Sequence, residues 1–131
     1  MLRYFPIDVG VAFDCVRSDI LKIDWTVNRL AADFIVDDAR AIRVRFDGST
    51  IVRLLDEMPL STEDGDPAGV EGLVPNHFAY RVEGAVFAAT QSEAFKVVFG
   101  PVEHYQFVTG SGCMDVLSGV TPSFDVVGLA G

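Results

Sequence analysis

Apolar and polar positions alternate in short runs along the first half of the chain: Val9–Val16, Ile20–Val27, Phe34–Val36, Ala41–Phe46 and Thr50–Leu55. These runs are rich in Val, Ile, Phe and Trp, and Asp, Asn and Ser interrupt them at short intervals. That is the spacing of an antiparallel meander. The stretch from Asn28 to Asp33 reads as a helical turn. In the second half, Phe78–Val82, Val102–Val108, Cys113–Leu117 and Ser123–Val127 read as strands. Between them, Ala85–Phe99 places Phe87, Gln91, Phe95 and Val98 on one helical face, and Gly100-Pro101 ends it. Thr90-x-x-Glu93 also fits a capping box, which would start the helix near Gln91. The expected fold is mainly β (α+β): an antiparallel barrel-like or sandwich sheet with one helix around 85–99.

Two hairpins are expected to carry the chemistry. In the first, Asp47-Gly48-Ser49 joins Ala41–Phe46 to Thr50–Leu55. If Phe46 faces Thr50, then Ile42, Val44, Val52 and Leu54 share an apolar face, and Arg43, Arg45 and Arg53 share the other. Arg43 would then stand opposite Arg53, which is unfavourable unless a carboxylate or a bound anion lies between them. One reading is an anion site, with guanidinium forks holding a carboxylate or phosphate. The other is cross-strand ion pairing with an acid such as Asp24 or Asp33.

The second hairpin joins Val102–Val108 to Cys113–Leu117 through Thr109-Gly-Ser-Gly112. Its register sets Val108 opposite Cys113, Gln106 opposite Asp115 and His104 opposite Leu117. Tyr105, Phe107, Met114 and Val116 then form a core face. Cys113 and His104 fall roughly 13 Å apart along the strands, too far for a thiol–imidazole dyad. His104 instead lies diagonal to Asp115, within reach of a hydrogen bond that would fix its tautomer. This face is either a semi-buried polar pocket or dimer face, or a half-exposed sheet face with one satisfied histidine. In the pocket reading, His104 is a general base oriented by Asp115, Arg81 holds an anionic substrate group, and Tyr80 lines the mouth.

Length and charge narrow the classes. The 131 residues fit a single globular domain, 1–131, with half the residues apolar. A long acidic Pro/Gly-rich loop at 57–76 contains no Lys or Arg. Loops of that length are functional or solvated connectors. A net charge of −9 argues against nucleic acid and anionic membrane as partners. No apolar run approaches the roughly 20 residues that span a bilayer, and Pro6 and Asp8 interrupt any signal-peptide core. Cys15 and Cys113 are too few and too distant for a disulfide framework or a zinc site. The Asp64-centred acids miss the EF-hand spacing, with Ala68 and Pro75 at ligand positions. No metal and no cofactor is therefore expected, and the expected compartment is the cytoplasm.

Tyr80-Arg-Val-Glu-Gly84, His104-Tyr105, Thr109, Asp115-Val-Leu-Ser118 and Pro122 resemble a pattern in small uncharacterised bacterial proteins. These are the kind carried as orphan reading frames on mobile gene cassettes. The resemblance implies no activity. The expected function is a small interaction or ligand-binding module without catalysis, a homodimer that takes a protein partner or a small anionic ligand. The alternative is a small-molecule enzyme or carrier built on His104 and Asp115.

Overall fold

Two β-sheets pack face to face in the computed structural model, which describes residues 2–55, 70–89, 91 and 100–129. The strands are β1 (Leu2–Pro6), β2 (Ile20–Thr26), β3 (Arg29–Ile35), β4 (Arg40–Phe46) and β5 (Thr50–Leu55). They continue with β6 (Val70–Glu71), β7 (Ala79–Glu83), β8 (Glu103–Val108), β9 (Cys113–Ser118) and β10 (Ser123–Gly128). A single helical turn, α1 (Val86–Ala89), follows β7. The larger sheet runs β5-β9-β8-β7-β1-β6 and the smaller β10-β4-β3-β2. All neighbours are antiparallel except β1 and β6. Among the described residues neither sheet closes on itself, so the fold is a sandwich and not a closed barrel.

Alternation decides what lies between the layers. Leu30, Ala32, Phe34, Ile42, Val44 and Phe46 of the smaller sheet meet Phe78, Ala79, Tyr105, Phe107, Met114 and Val116 of the larger one. Apart from Phe78, which lies just before β7, these residues sit at every second position of their strands, as a half-buried sheet requires. Phe107 is the hub, with rings of Phe34, Phe46, Phe78 and Phe124 at centroid distances of 5.6–6.3 Å. The larger sheet is buried on its other face as well. There Leu2, Tyr4, Tyr80, Val82 and Ala85 make a second cluster.

The β8–β9 hairpin has the expected register, with Gln106 opposite Asp115 and His104 opposite Leu117. The Ala41–Leu55 hairpin does not form. β4 lies between β3 and β10, whereas β5 crosses to the other sheet and pairs with β9. The two strands carry the same alternation, so pattern alone could not separate them. Charge does: in a hairpin Arg43 would face Arg53, while the observed topology gives Arg43 to Asp33 and Arg53 to Asp115.

Other expectations are corrected. Val9–Val16 is not a strand; it is an irregular segment leading to a short 3-10 turn at Cys15–Arg17. Asn28–Asp33 is not helical, since β3 begins at Arg29. Leu2–Pro6, left unassigned by the sequence reading, is a strand because β7 and β6 flank it on both sides. Of the 85–99 helix, only Val86–Ala89 is helical among the described residues; Thr90 and 92–99, and with them the Thr90/Glu93 capping box, lie outside them. Of the 57–76 loop, 57–69 lies outside them too, while Val70–Glu71 pairs with β1. No helix among the described residues is long and apolar enough to cross a membrane.

Candidate functional site

Four strands of the larger sheet place one polar residue each in a cross-strand row. Arg53 of β5 stands opposite Asp115 of β9, Asp115 opposite Gln106 of β8, and Gln106 opposite Tyr80 of β7. All lie on the face turned away from the smaller sheet. Asp115 is the centre, with 0% of its surface exposed. Its Oδ1 accepts from His104 Nε2 at 2.7 Å and from Gln106 Nε2 at 3.0 Å. Its Oδ2 accepts from Arg53 Nε at 3.1 Å and Nη2 at 2.9 Å, and Cys113 Sγ lies 3.8 Å away.

Burial pushes the Asp115 carboxyl up, but the hydrogen bonds and charges of His104, Gln106 and Arg53 outweigh it and hold Asp115 below the usual carboxylate range. An ionised Asp115 only accepts, so the His104 proton must sit on Nε2. His104 Nδ1 is buried and has no hydrogen-bond partner among the described residues. Phe87, from α1, closes the group: the Arg53 guanidinium stacks 4.3 Å from its ring centre, and its ring meets His104 edge-on at 5.4 Å.

The structure therefore brings together His104, Asp115, Arg53 and, one strand further, Tyr80. It separates the rest. Arg81 stands opposite Tyr105 and so points to the other face of the sheet, where it bonds Glu83 at 2.8 Å and covers Phe5. Arg43 and Arg45 belong to the outer face of the smaller sheet. There a shallow groove is lined by Lys22, Asp24, Arg29, Asp33, Arg43 and Arg45 over Ala31. Asp33 receives Arg43 through two bonds of 2.8 and 3.0 Å, and Arg45 reaches Asp47 at 3.8 Å. Signs alternate across the strands, with Lys22 opposite Asp33, Asp33 opposite Arg43, and Arg43 opposite Asp125. The arginines thus have carboxylates of their own, and they do not converge on one point.

A cavity of about 450 Å³ opens at the far end of the Tyr80 row. Leu73, Val74 and Pro75 form one wall, Val16 and Gly110 another, and Tyr80, Gln106 and Val108 the floor. The Tyr80 hydroxyl donates to the Val74 carbonyl at 2.9 Å and accepts from the Val74 N–H at 3.1 Å, which pins the loop over the sheet. His77 Nε2 donates to the Ile7 carbonyl at 3.0 Å, and the Cys15 thiol donates to Asn76 Oδ1 at 3.3 Å. Burial raises the pKa of Tyr80 and, with help from Asp14, that of Cys15, so both stay protonated at neutral pH.

Of this cavity's lining, Tyr80 was expected as a site residue, and Gln106 and Val108 were expected on the polar face of the β8–β9 hairpin. Its walls come from segments distant in sequence, and the one local signal was the apolar Leu73-Val74-Pro75 at the end of an acidic stretch. Among the described residues no group of His, Cys, Asp and Glu is arranged to hold a metal. Searched against protein families, curated proteins and solved structures, the chain matches none of them.

Proposed function

We propose that the protein is a non-catalytic binding module that holds a small, predominantly apolar molecule in the cavity between the Leu73–His77 loop and the Val108–Gly110 end of the β8–β9 hairpin. The observation that carries this reading is the cavity itself: its size suits a small ligand and its exposed lining is mostly apolar. The Tyr80, Cys15 and His77 side chains around it already have partners within the protein. What they leave for recognition is apolar surface. Two buried cysteines outside any disulfide, Cys15 and Cys113, suit a reducing compartment such as the cytoplasm.

Acid–base chemistry at His104 is the second reading, and the bare Nδ1 is the observation that favours it. Against it, His104 is 3% exposed and borders none of the cavities described above. Asp115, meanwhile, is saturated by donors.

The test is a melting-temperature screen against medium-chain fatty acids, indoles and small aromatics, repeated on Val108→Trp, which fills the cavity floor. A ligand at a hundred times its Kd stabilises the fold by about 2.7 kcal/mol. The expected result is a clear upward shift that Val108→Trp abolishes. A panel without any shift, or a shift that survives in the variant, overturns the reading.

A further inference from the structure

β2 is an edge strand, with β3 as its neighbour on one side and no described strand on the other. Free edges invite pairing with another chain, and proteins commonly guard them with charge or a bulge. β2 has both, a bulge at Leu21 and the charges Lys22 and Asp24. Yet it also leaves Leu21 46% and Trp25 52% exposed.

The order of residues along this edge decides which partner fits. Opposite β3, the residues Ile20, Ile23 and Trp25 align with inward-facing Phe34, Ala32 and Leu30, while Lys22 and Asp24 align with outward-facing Asp33 and Ala31. Two copies that pair edge to edge and extend the same sandwich must set inward residues opposite inward ones, because side chains directly opposite share a face. Centring the pair on Lys22 sets Lys22 against Lys22 of the copy. Centring on Asp24 sets two carboxylates together, and centring on Trp25 overlaps only the last residues of the strand. Centring on Ile23 sets Lys22 opposite the copy's Asp24, twice by symmetry, and Ile23 opposite its own copy. The bulge removes Leu21 from the count, so Ile20 comes opposite Trp25 and half-covers its exposed ring.

We infer that the β2 edge is a homodimer interface in which two copies pair antiparallel about Ile23, joining the two smaller sheets into one of eight strands. The guarding charges then attract in this register and repel in the neighbouring ones. Five paired residues a side make the dimer a weak, concentration-dependent one. Lys22 and Asp24 are both exposed in the single chain, so changing them leaves the core intact.

Sedimentation equilibrium on the wild type, Lys22→Asp, Asp24→Lys and the double reversal tests the inference. The wild type is expected to dimerise as concentration rises. Each single reversal, which places like charges together at two symmetric points, should raise the dimer Kd roughly tenfold. The double reversal should restore it. A wild type that stays monomeric up to millimolar concentration overturns the inference and leaves the edge to a foreign strand. A dimer indifferent to the single reversals, or not recovered by the double, overturns it by placing the interface elsewhere.

Discussion

Arg53 and Asp115 stand directly opposite each other on β5 and β9, and the arginine donates twice to one carboxylate oxygen, at 3.1 and 2.9 Å. Asp115 is fully buried while Arg53 keeps 26% of its side chain exposed, so the pair is asymmetric: a charge inside, answered from the rim. An ion inside an apolar sheet is unfavourable by several kcal/mol unless its lone pairs are satisfied. Here two further donors, His104 and Gln106, complete the shell. The pairing also selects a topology, because β5 reaches this partner only by leaving the hairpin that its sequence neighbour β4 would offer.

Arg53→Met should therefore destabilise the fold by about 2–4 kcal/mol, somewhat under the ~3–5 for stripping one partner from a fully buried pair. Arg43→Gln is the comparison. Arg43 also donates twice, once to each oxygen of Asp33, but its side chain is 41% exposed and water screens it, so the loss should be about 0–1 kcal/mol. Urea unfolding of the two variants measures both. Equal losses would mean that burial of Asp115 does not set the difference.

Acid should act on the same carboxylate. Asp115 in the folded chain titrates below 3.8, its usual value, which the unfolded chain recovers. As pH falls through that value the unfolded chain takes up the proton first, so the stabilisation Asp115 provides is complete at neutral pH and at 5. It declines below about pH 4 and is gone once the folded carboxyl is protonated. The urea midpoint of the wild type should thus fall steeply from pH 4 to 2.5. In Asp115→Asn, less stable at neutral pH, the slope over that interval should be shallower. Parallel slopes would assign the acid sensitivity to other carboxylates.

How far the chain could be read in advance follows from which contacts are local. The β8–β9 register was legible because the turn Thr109–Gly112 and the alternation of Tyr105, Phe107, Met114 and Val116 specify the same pairing. The His104–Asp115 contact followed from it. β4 and β5 were legible as strands but not as members of different sheets, since Val44 and Val52 satisfy either arrangement. Only the long-range partners Asp33 and Asp115 distinguish them. Leu2–Pro6 was not legible as a strand because its partners, Val70–Glu71 and Ala79–Glu83, lie far along the chain. The cavity was invisible for a different reason: Val16, Val74 and Gly110 have no common pattern, and their meeting depends on the whole topology.

One glycine makes that meeting possible. A Cβ on Gly110 would lie 1.9 Å from the Val16 carbonyl oxygen and 2.8 Å from its carbon, both backbone atoms that cannot swing aside. Gly110 N–H also donates to the Cys15 carbonyl at 3.1 Å, so the 3-10 turn at Cys15–Arg17 rests directly on the β8–β9 turn. Gly110→Ala must push these segments apart, combining about 1–3 kcal/mol of overpacking with about 1 kcal/mol for the lost hydrogen bond. In a domain of this size that lowers Tm by roughly 7–15 °C. Because Val16 and Gly110 both line the cavity, any ligand-dependent rise in Tm should shrink as well. Gly128→Ala is the control, since nothing lies within 4 Å of its Cβ position, and it should leave Tm nearly unchanged. Matching melting curves for the two variants would show that the close approach of Val16 to Gly110 does not support the fold, and with it the cavity wall.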